Sequence, residues 1–118
     1  MKPMQTSDRG FKRGDVVVVP FPSADRQAEK RRPALVVSSG KFNSRAGYLW
    51  VAMITSKSHK PLADDVEIDH LEAGLNSPSV VRLAKLATIE ADRVIRVAGR
   101  LEKGNFAAVK DGLAEILG

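Results

Sequence analysis

Two short basic segments, residues 26–32 and 57–60, carry most of the side chains that could do chemistry on a phosphate. The second of them contains His59, and histidine is the side chain that most readily exchanges a proton near neutral pH. An exposed histidine with no catalytic role is the alternative interpretation. Lysine and arginine neutralise backbone phosphates, which suits both segments to a nucleic acid. The cations concerned are Arg26, Lys30, Arg31 and Arg32 in the first segment, and Lys57 and Lys60 in the second.

The overall charge favours a polyanionic partner, because 19 Lys and Arg residues face 14 Asp and Glu residues, a net charge of +5. The chain has no cysteine, which excludes disulfides, thiolate catalysis and cysteine zinc sites and fits the cytoplasm. The longest apolar run, Val16 to Phe21, is far shorter than the roughly 20 residues that span a bilayer. We therefore expect a cytoplasmic protein with no membrane segment.

An acidic cluster raises the question of a metal site. Asp64, Asp65, Glu67 and Asp69 could together suggest Mg²⁺. Their alternation along a short strand is better explained by a solvated strand face, so we expect no metal and no cofactor.

The elements that must position these side chains are mostly strands. β-Branched and apolar runs bounded by turn residues predict strands over 16–21, 33–39, 48–55, 66–68, 79–86 and 94–97. The polar stretch Pro22–Arg32 is predicted to be an exposed, poorly ordered loop, and 40–47 to be a turn. Trp50 is predicted to lie in the core, although stacking on a base is the alternative.

A helix is predicted at the end of the chain, where apolar residues recur in steps of three and four at Phe106, Val109, Leu113 and Ile116. Several short strands and one closing helix predict a mainly β (α+β) fold, an antiparallel barrel-like sheet flanked by that helix. We expect one domain over 12–118, preceded by a disordered arm at 1–11.

The segments 12–16, 32–38, 54–56, 79–82 with 88–90, and 99–101 together resemble the MazF/PemK family of toxins from type II toxin–antitoxin systems. The resemblance implies an SH3-like barrel that forms a homodimer. It also implies a metal-independent, sequence-selective endoribonuclease that cuts single-stranded RNA by attack of the ribose 2′-hydroxyl, leaving a 2′,3′-cyclic phosphate and a 5′-hydroxyl. A cognate antitoxin would inhibit it, and operator DNA would be bound only by the toxin–antitoxin complex.

The resemblance also implies roles for particular residues. Arg32 matches the family's catalytic arginine, and its rigid fork of donors suits a phosphate. Thr55 matches the family's hydroxyl residue, with Ser56 as the adjacent alternative, since neighbouring strand residues face opposite sides. Arg32 and Thr55 should meet on one concave face. Arg82 matches an arginine that some relatives use in catalysis.

The chain also departs from the family pattern. An acidic residue that those relatives carry two positions after the strand arginine is Ala84 here. The first loop differs too, which leaves Arg26, Gln27 and Glu29 as its candidates for proton transfer or substrate contact. These departures keep a second hypothesis open, in which the same barrel is a non-catalytic nucleic-acid-binding or protein-interaction module.

Overall fold

The chain folds around one antiparallel sheet of six strands. The computed structural model describes residues 10–22 and 29–118. In chain order its elements are β1 (Asp15–Pro22), β2 (Glu29–Val36), α1 (Gly40–Ala46), β3 (Tyr48–Ser56), β4 (Asp65–Ile68), β5 (Ser79–Glu90), a 3-10 turn (Ala91–Arg93), β6 (Arg96–Arg100) and α2 (Lys103–Leu117). The strand order across the sheet is β4-β5-β3-β2-β1-β6. The predicted mainly β fold with a C-terminal helix is confirmed.

A bulge in β5 bends the sheet. Ala52 of β3 pairs with Leu86, whereas the next residue, Met53, pairs with Arg82. The residues 83–85 therefore have no partner on β3, and such a bulge increases local twist and curvature. Before the bulge, residues 79–82 of β5 pair with β4 as well as with β3.

The two edges of the curled sheet are joined by the turn that follows β4. The backbone N–H of Arg100, on β6, donates to the carbonyl of Glu72 in this turn at 3.3 Å. A Cβ added at Gly99 would lie 2.5 Å from the backbone of Ala73, so only glycine allows this close approach. The barrel is thus closed by a turn packed on β6 rather than by direct pairing of the edge strands.

Apolar residues on both faces of β1, β2 and β3 are buried, which explains their continuous rather than alternating hydrophobicity. One face contributes to a cluster that includes Phe11, Val17, Val19, Ala34, Val36, Leu49 and Val51. The other face contributes Val16, Leu35, Ala52 and Ile54 to a second cluster, which Phe106 and Val109 of α2 complete. Phe11, which the sequence assigned to the N-terminal arm, is a core residue; residues 1–9 of that arm lie outside the described part of the chain.

The polar stretch Pro22–Arg32, predicted to be a loop, is strand at both of its ends. The β1–β2 ladder runs on to the pair of Pro22 and Glu29. Backbone hydrogen bonds do not require apolar side chains, so a charged hairpin can extend a ladder beyond its hydrophobic part. Residues 23–28 lie outside the described residues.

A short helix occupies the segment predicted to be a turn. Ser39 caps α1 by accepting a hydrogen bond from the backbone N–H of Phe42 at 3.1 Å, and Gly47 ends it with φ of 75°. The prediction that Trp50 lies in the core is wrong, because this side chain is 51% exposed. It lies on the outer face of β3 against the ring of Phe42, whose centroid is 5.3 Å away.

Candidate functional site

A threonine and a histidine meet where β3 ends. The backbone N–H of His59 donates to the carbonyl of Ser56 at 3.1 Å, which turns the chain back on itself. This turn brings Nδ1 of His59 to 2.7 Å from Oγ1 of Thr55. Thr55 is buried, whereas His59 is exposed. The threonine therefore fixes one nitrogen of an imidazole whose ring stays open to solvent.

The loop that carries His59 is held by Arg82 of β5. The guanidinium of Arg82 donates to the carbonyl of Lys60 at 2.7 Å and lies 3.9 Å from a carboxylate oxygen of Asp65. That same oxygen accepts the backbone N–H of Leu62 at 2.9 Å. Arg82 and Asp65 are directly opposite each other in the β4–β5 ladder. The pair ties both ends of the segment 60–65 to the sheet.

These contacts bear on two expectations from the sequence. Arg82, predicted to be a possible catalytic or substrate-binding residue, is only 7% exposed and its guanidinium donates to the loop, so its role toward a substrate stays a prediction. Asp65, predicted to lie on a solvated strand face, has a side chain that is 9% exposed. The cause is the cross-strand pairing of an acidic and a basic residue, which the linear sequence does not reveal.

Arg32 lies on the same side of the sheet as Thr55. The recorded β2–β3 ladder runs from the pair of Val36 and Val51 to the pair of Ala34 and Met53. Ala34 and Met53 are opposite each other and share a face. Arg32 lies two residues before Ala34 and Thr55 two residues after Met53, so alternation along each strand assigns both side chains to that face. Arg32 is half-buried and, within the described residues, its side chain forms no hydrogen bond or ion pair. Its guanidinium is therefore free to bind an anion.

Ser56, the alternative to Thr55, belongs to the opposite face of β3. Its side chain is half-buried, and its hydroxyl lies 2.9 Å from that of Ser58. Alternation along the strand directs neighbouring side chains to opposite sides. The arrangement brings Thr55, and not Ser56, onto the face of Arg32.

The remaining predicted residues lie around this site in different ways. Lys30 and Arg31 are exposed on β2, where successive residues alternate between the two faces. Lys57 forms an exposed ion pair of 2.8 Å with Glu67, whereas the ammonium group of Lys60 has no ion-pair partner among residues 10–22 and 29–118. Glu29 lies in β2 opposite Pro22. Arg26 and Gln27 lie outside the described residues.

The structure offers no carboxylate where the family resemblance would have one. Ala84 is exposed and lies in the unpaired bulge of β5, two residues beyond Arg82. Within the described ranges, no three His, Asp or Glu side chains are grouped so that they could hold a metal ion. Among the described residues, the titratable side chain that contacts Thr55 is His59. The same described part of the chain contains no helix long and apolar enough to cross a membrane.

Comparison with known proteins places this geometry in context. A family model described as PemK-like, MazF-like toxin of type II toxin-antitoxin system matches residues 12–117. The chain is 26% identical to the endoribonuclease MazF9 of Mycobacterium tuberculosis over 109 residues, which cover 87% of this chain and 92% of that protein.

Solved structures share the fold. The M. tuberculosis toxin MazF-mt6 superimposes with a TM-score of 0.72 at 23% identity, over 87% of this chain and 95% of that one. The MazE-MazF structure from Deinococcus radiodurans gives a TM-score of 0.69 at 23% identity, covering 92% and 95% of the two chains. A mycobacterial endoribonuclease in complex with its cognate antitoxin gives 0.72 at 16% identity, covering 91% and 94%.

Proposed function

Since the chain belongs to the PemK-like, MazF-like toxins of type II toxin–antitoxin systems, and a relative is named an endoribonuclease, we propose that it is an endoribonuclease that cuts single-stranded RNA at the site formed by Arg32, Thr55 and His59. The observation that carries this proposal is the contact between Thr55 and His59, on the sheet face that the register assigns to Arg32.

Arg32 neutralises the charge that develops on the phosphate. Attack of the 2′-oxygen gives a phosphorane with two negative charges, and interactions that strengthen in this state lower the barrier. The arginine fork can donate two parallel hydrogen bonds to phosphate oxygens. Arginine stays protonated throughout the physiological range, so Arg32 supplies charge and orientation rather than proton transfer.

Thr55 and His59 divide the remaining work. When the hydroxyl of Thr55 donates to a non-bridging phosphate oxygen, its Oγ1 can accept the proton on Nδ1 of His59 at the observed 2.7 Å. This tautomer leaves Nε2 unprotonated, and Nε2 is then the general base. A single hydrogen bond thus orients the ring and selects the nitrogen that acts.

The reaction balances without a cofactor. The 2′-oxygen forms a bond to phosphorus while its proton passes to Nε2 of His59, and the bond from phosphorus to the 5′-oxygen breaks. The leaving 5′-oxygen takes a proton from solvent, since the imidazole lies in an exposed loop. The products are a 2′,3′-cyclic phosphate and a 5′-hydroxyl. DNA lacks the 2′-hydroxyl and does not react.

The test is incubation of the purified protein with a long single-stranded RNA in EDTA. We expect discrete fragments ending in cyclic phosphate, and the same RNA with 2′-deoxy substitution at the mapped cut site should stay intact. Binding of RNA without cleavage would instead support a non-catalytic binding module, a hypothesis that the absence of a carboxylate at Ala84 favours.

The proposal also covers the partners of the protein. Tyr48, Trp50 and Leu86 form an exposed apolar strip on β3 and β5, and burial of such a strip supports a homodimer. Solved structures of relatives include an antitoxin complex, which supports inhibition by a cognate antitoxin. We further propose that operator DNA is bound only by the toxin–antitoxin complex, and that the protein acts in the cytoplasm.

A further inference from the structure

A basic groove lies beside the end of β2 at Val36, four positions along the strand from Arg32. It has a volume of about 1160 Å³ and is bounded by residues 10–13, by α1 and by α2. Among the described residues that line it, Glu102 provides the carboxylate. The cations that line it are Lys12, Arg13, Lys41, Arg100, Lys103 and Lys110.

Two of these cations already have partners. Arg100 pairs with Asp15, and the guanidinium of Arg13 lies 5.4 Å from the ring centroid of Phe106. The four lysines are exposed, and within residues 10–22 and 29–118 their ammonium groups form no ion pair. Such a concentration of like charge in a concave surface attracts an extended polyanion.

The floor of the groove indicates which part of a polyanion it would contact. Phe11, Leu101 and Phe106 are 3–7% exposed, so their faces are already covered by the protein. Stacking of bases requires open aromatic faces. The groove is therefore built to contact backbone phosphates, without reading the bases.

We propose that this groove binds the phosphates of the RNA strand beyond the cut site, and this inference rests on the proposed ribonuclease function. The groove and the cut site lie along the same strand: the N–H of Gly14, next to Arg13, donates to the carbonyl of Val36 at 2.9 Å, and Arg32 lies four positions before Val36 in β2. The four residue steps from Arg32 to Val36 span about 13 Å at the usual rise of a strand. An RNA that leaves the cut site along β2 reaches the groove.

The experiment compares cleavage of RNAs extended by increasing lengths on either side of the mapped cut site. For the native protein, extension on one side should raise kcat/KM, because it brings more phosphates into the groove. Lys41→Glu and Lys110→Glu should abolish that gain while cutting the shortest RNA at the native rate. Affinity for a long RNA with a 2′-deoxy cut site, measured by fluorescence anisotropy, should fall, and the salt slope should decrease by about 0.7 for each phosphate that is no longer neutralised.

Arg45→Glu is the matched control. Arg45 belongs to the same helix as Lys41, but its guanidinium lies over the ring of Phe42 at 5.8 Å and does not line the groove. It should bind and cut long RNA like the native protein. Native affinity for long RNA in both groove variants would overturn the proposal, as would equal reductions in affinity in all three variants.

Other occupants give distinct results. If the groove variants bind long RNA normally but no longer bind polyglutamate, the site serves an acidic protein segment and not RNA. If they bind RNA normally but change the sedimentation of the protein, the groove is covered by a second copy. A native protein that binds long RNA through the groove but never cuts would refute the ribonuclease function while leaving the groove intact.

Discussion

The contact between Thr55 and His59 predicts that their substitutions are not independent. Thr55→Val removes the hydroxyl and keeps the shape of the side chain, and loss of one preorganised donor to developing charge costs about 10²- to 10³-fold in rate. His59→Ala removes the general base, which costs about 10²- to 10⁴-fold. In the proposed mechanism the threonine also orients the imidazole. Each single substitution therefore removes part of the same contribution to the cleavage rate.

The double variant should therefore lose less activity than the product of the two single losses, by at least about tenfold, which is a coupling of about 1.4 kcal/mol. The measurement is single-turnover cleavage of a labelled RNA in EDTA with protein in excess, so that product release does not enter. Ser56→Ala is the control, because its hydroxyl contacts Ser58 on the other face of β3. It should stay within about twofold of native, as surface changes away from a site generally do.

Two results would refute this reasoning. Full activity of His59→Ala would show that the histidine takes no part in proton transfer. Strictly multiplicative losses would show that the 2.7 Å contact has no mechanistic role. Urea denaturation of each variant should show stability unchanged to within about 1 kcal/mol, since Thr55→Val removes one hydrogen bond, to an exposed imidazole, and keeps the volume of the buried side chain.

Three further predictions concern single residues. Arg32→Ala should fold normally and cut at least about 10²-fold more slowly, and Arg32→Lys should restore little because a point charge lacks the bidentate fork; full activity of either variant in the cleavage assay would remove Arg32 from the site. Arg82→Met should lower the free energy of unfolding in urea by about 3 kcal/mol, since the carbonyl of Lys60 loses its donor and a buried carboxylate its counter-ion; an unchanged midpoint would contradict it. Gly99→Ala should lower the free energy of unfolding by about 1–3 kcal/mol, because its Cβ clashes with the neighbouring turn. Gly104→Ala is the control: it has open space around its Cβ and should be neutral or stabilising by up to about 1 kcal/mol. Equal effects of the two substitutions would contradict the account of barrel closure.

Local patterns were sufficient for most of the fold. β-Branched runs indicated each of the six described strands, but the prediction missed the charged first part of β2, carried that strand on to residue 39, and placed β6 at 94–97 instead of Arg96–Arg100. The steps between Phe106 and Val109 located the helix whose apolar face closes the second core cluster. The helix α1 was missed although both of its ends carry signals, a serine cap at Ser39 and a glycine at Gly47. The seven residues between these caps show no clear apolar period, so the sequence pattern resembles that of a turn. A helix this short is stabilised by its caps and by one packed face rather than by a repeating apolar pattern.

The sequence could not reveal which side chains share a face, because that depends on register. The pairing of Arg82 with Asp65 follows from the β4–β5 ladder, and it gives the arginine a role in holding the loop that the linear sequence does not show. Trp50 shows the same limit, since an apolar strand in a curved sheet can still have an uncovered stretch on its outer face.

The same dependence on register explains how a chain without the family's carboxylate at Ala84 can still offer a base. Residue 84 lies in the bulge of β5, whereas Arg82, two residues earlier, is paired with β4 and holds the loop after β3. That loop begins beside Thr55 and needs four residues to return a side chain to it, which is the spacing at which His59 occurs. In the proposed mechanism the base thus lies on a loop rather than on a strand, and the buried Arg82 holds that loop to the sheet. A site built in this way should be more sensitive to loosening of the loop than to the identity of residue 84, so Ala84→Asp should change the cleavage rate far less than Arg82→Met does. If Ala84→Asp instead raised the rate strongly in the single-turnover assay, a carboxylate base would be the missing group, and His59 would not be the base.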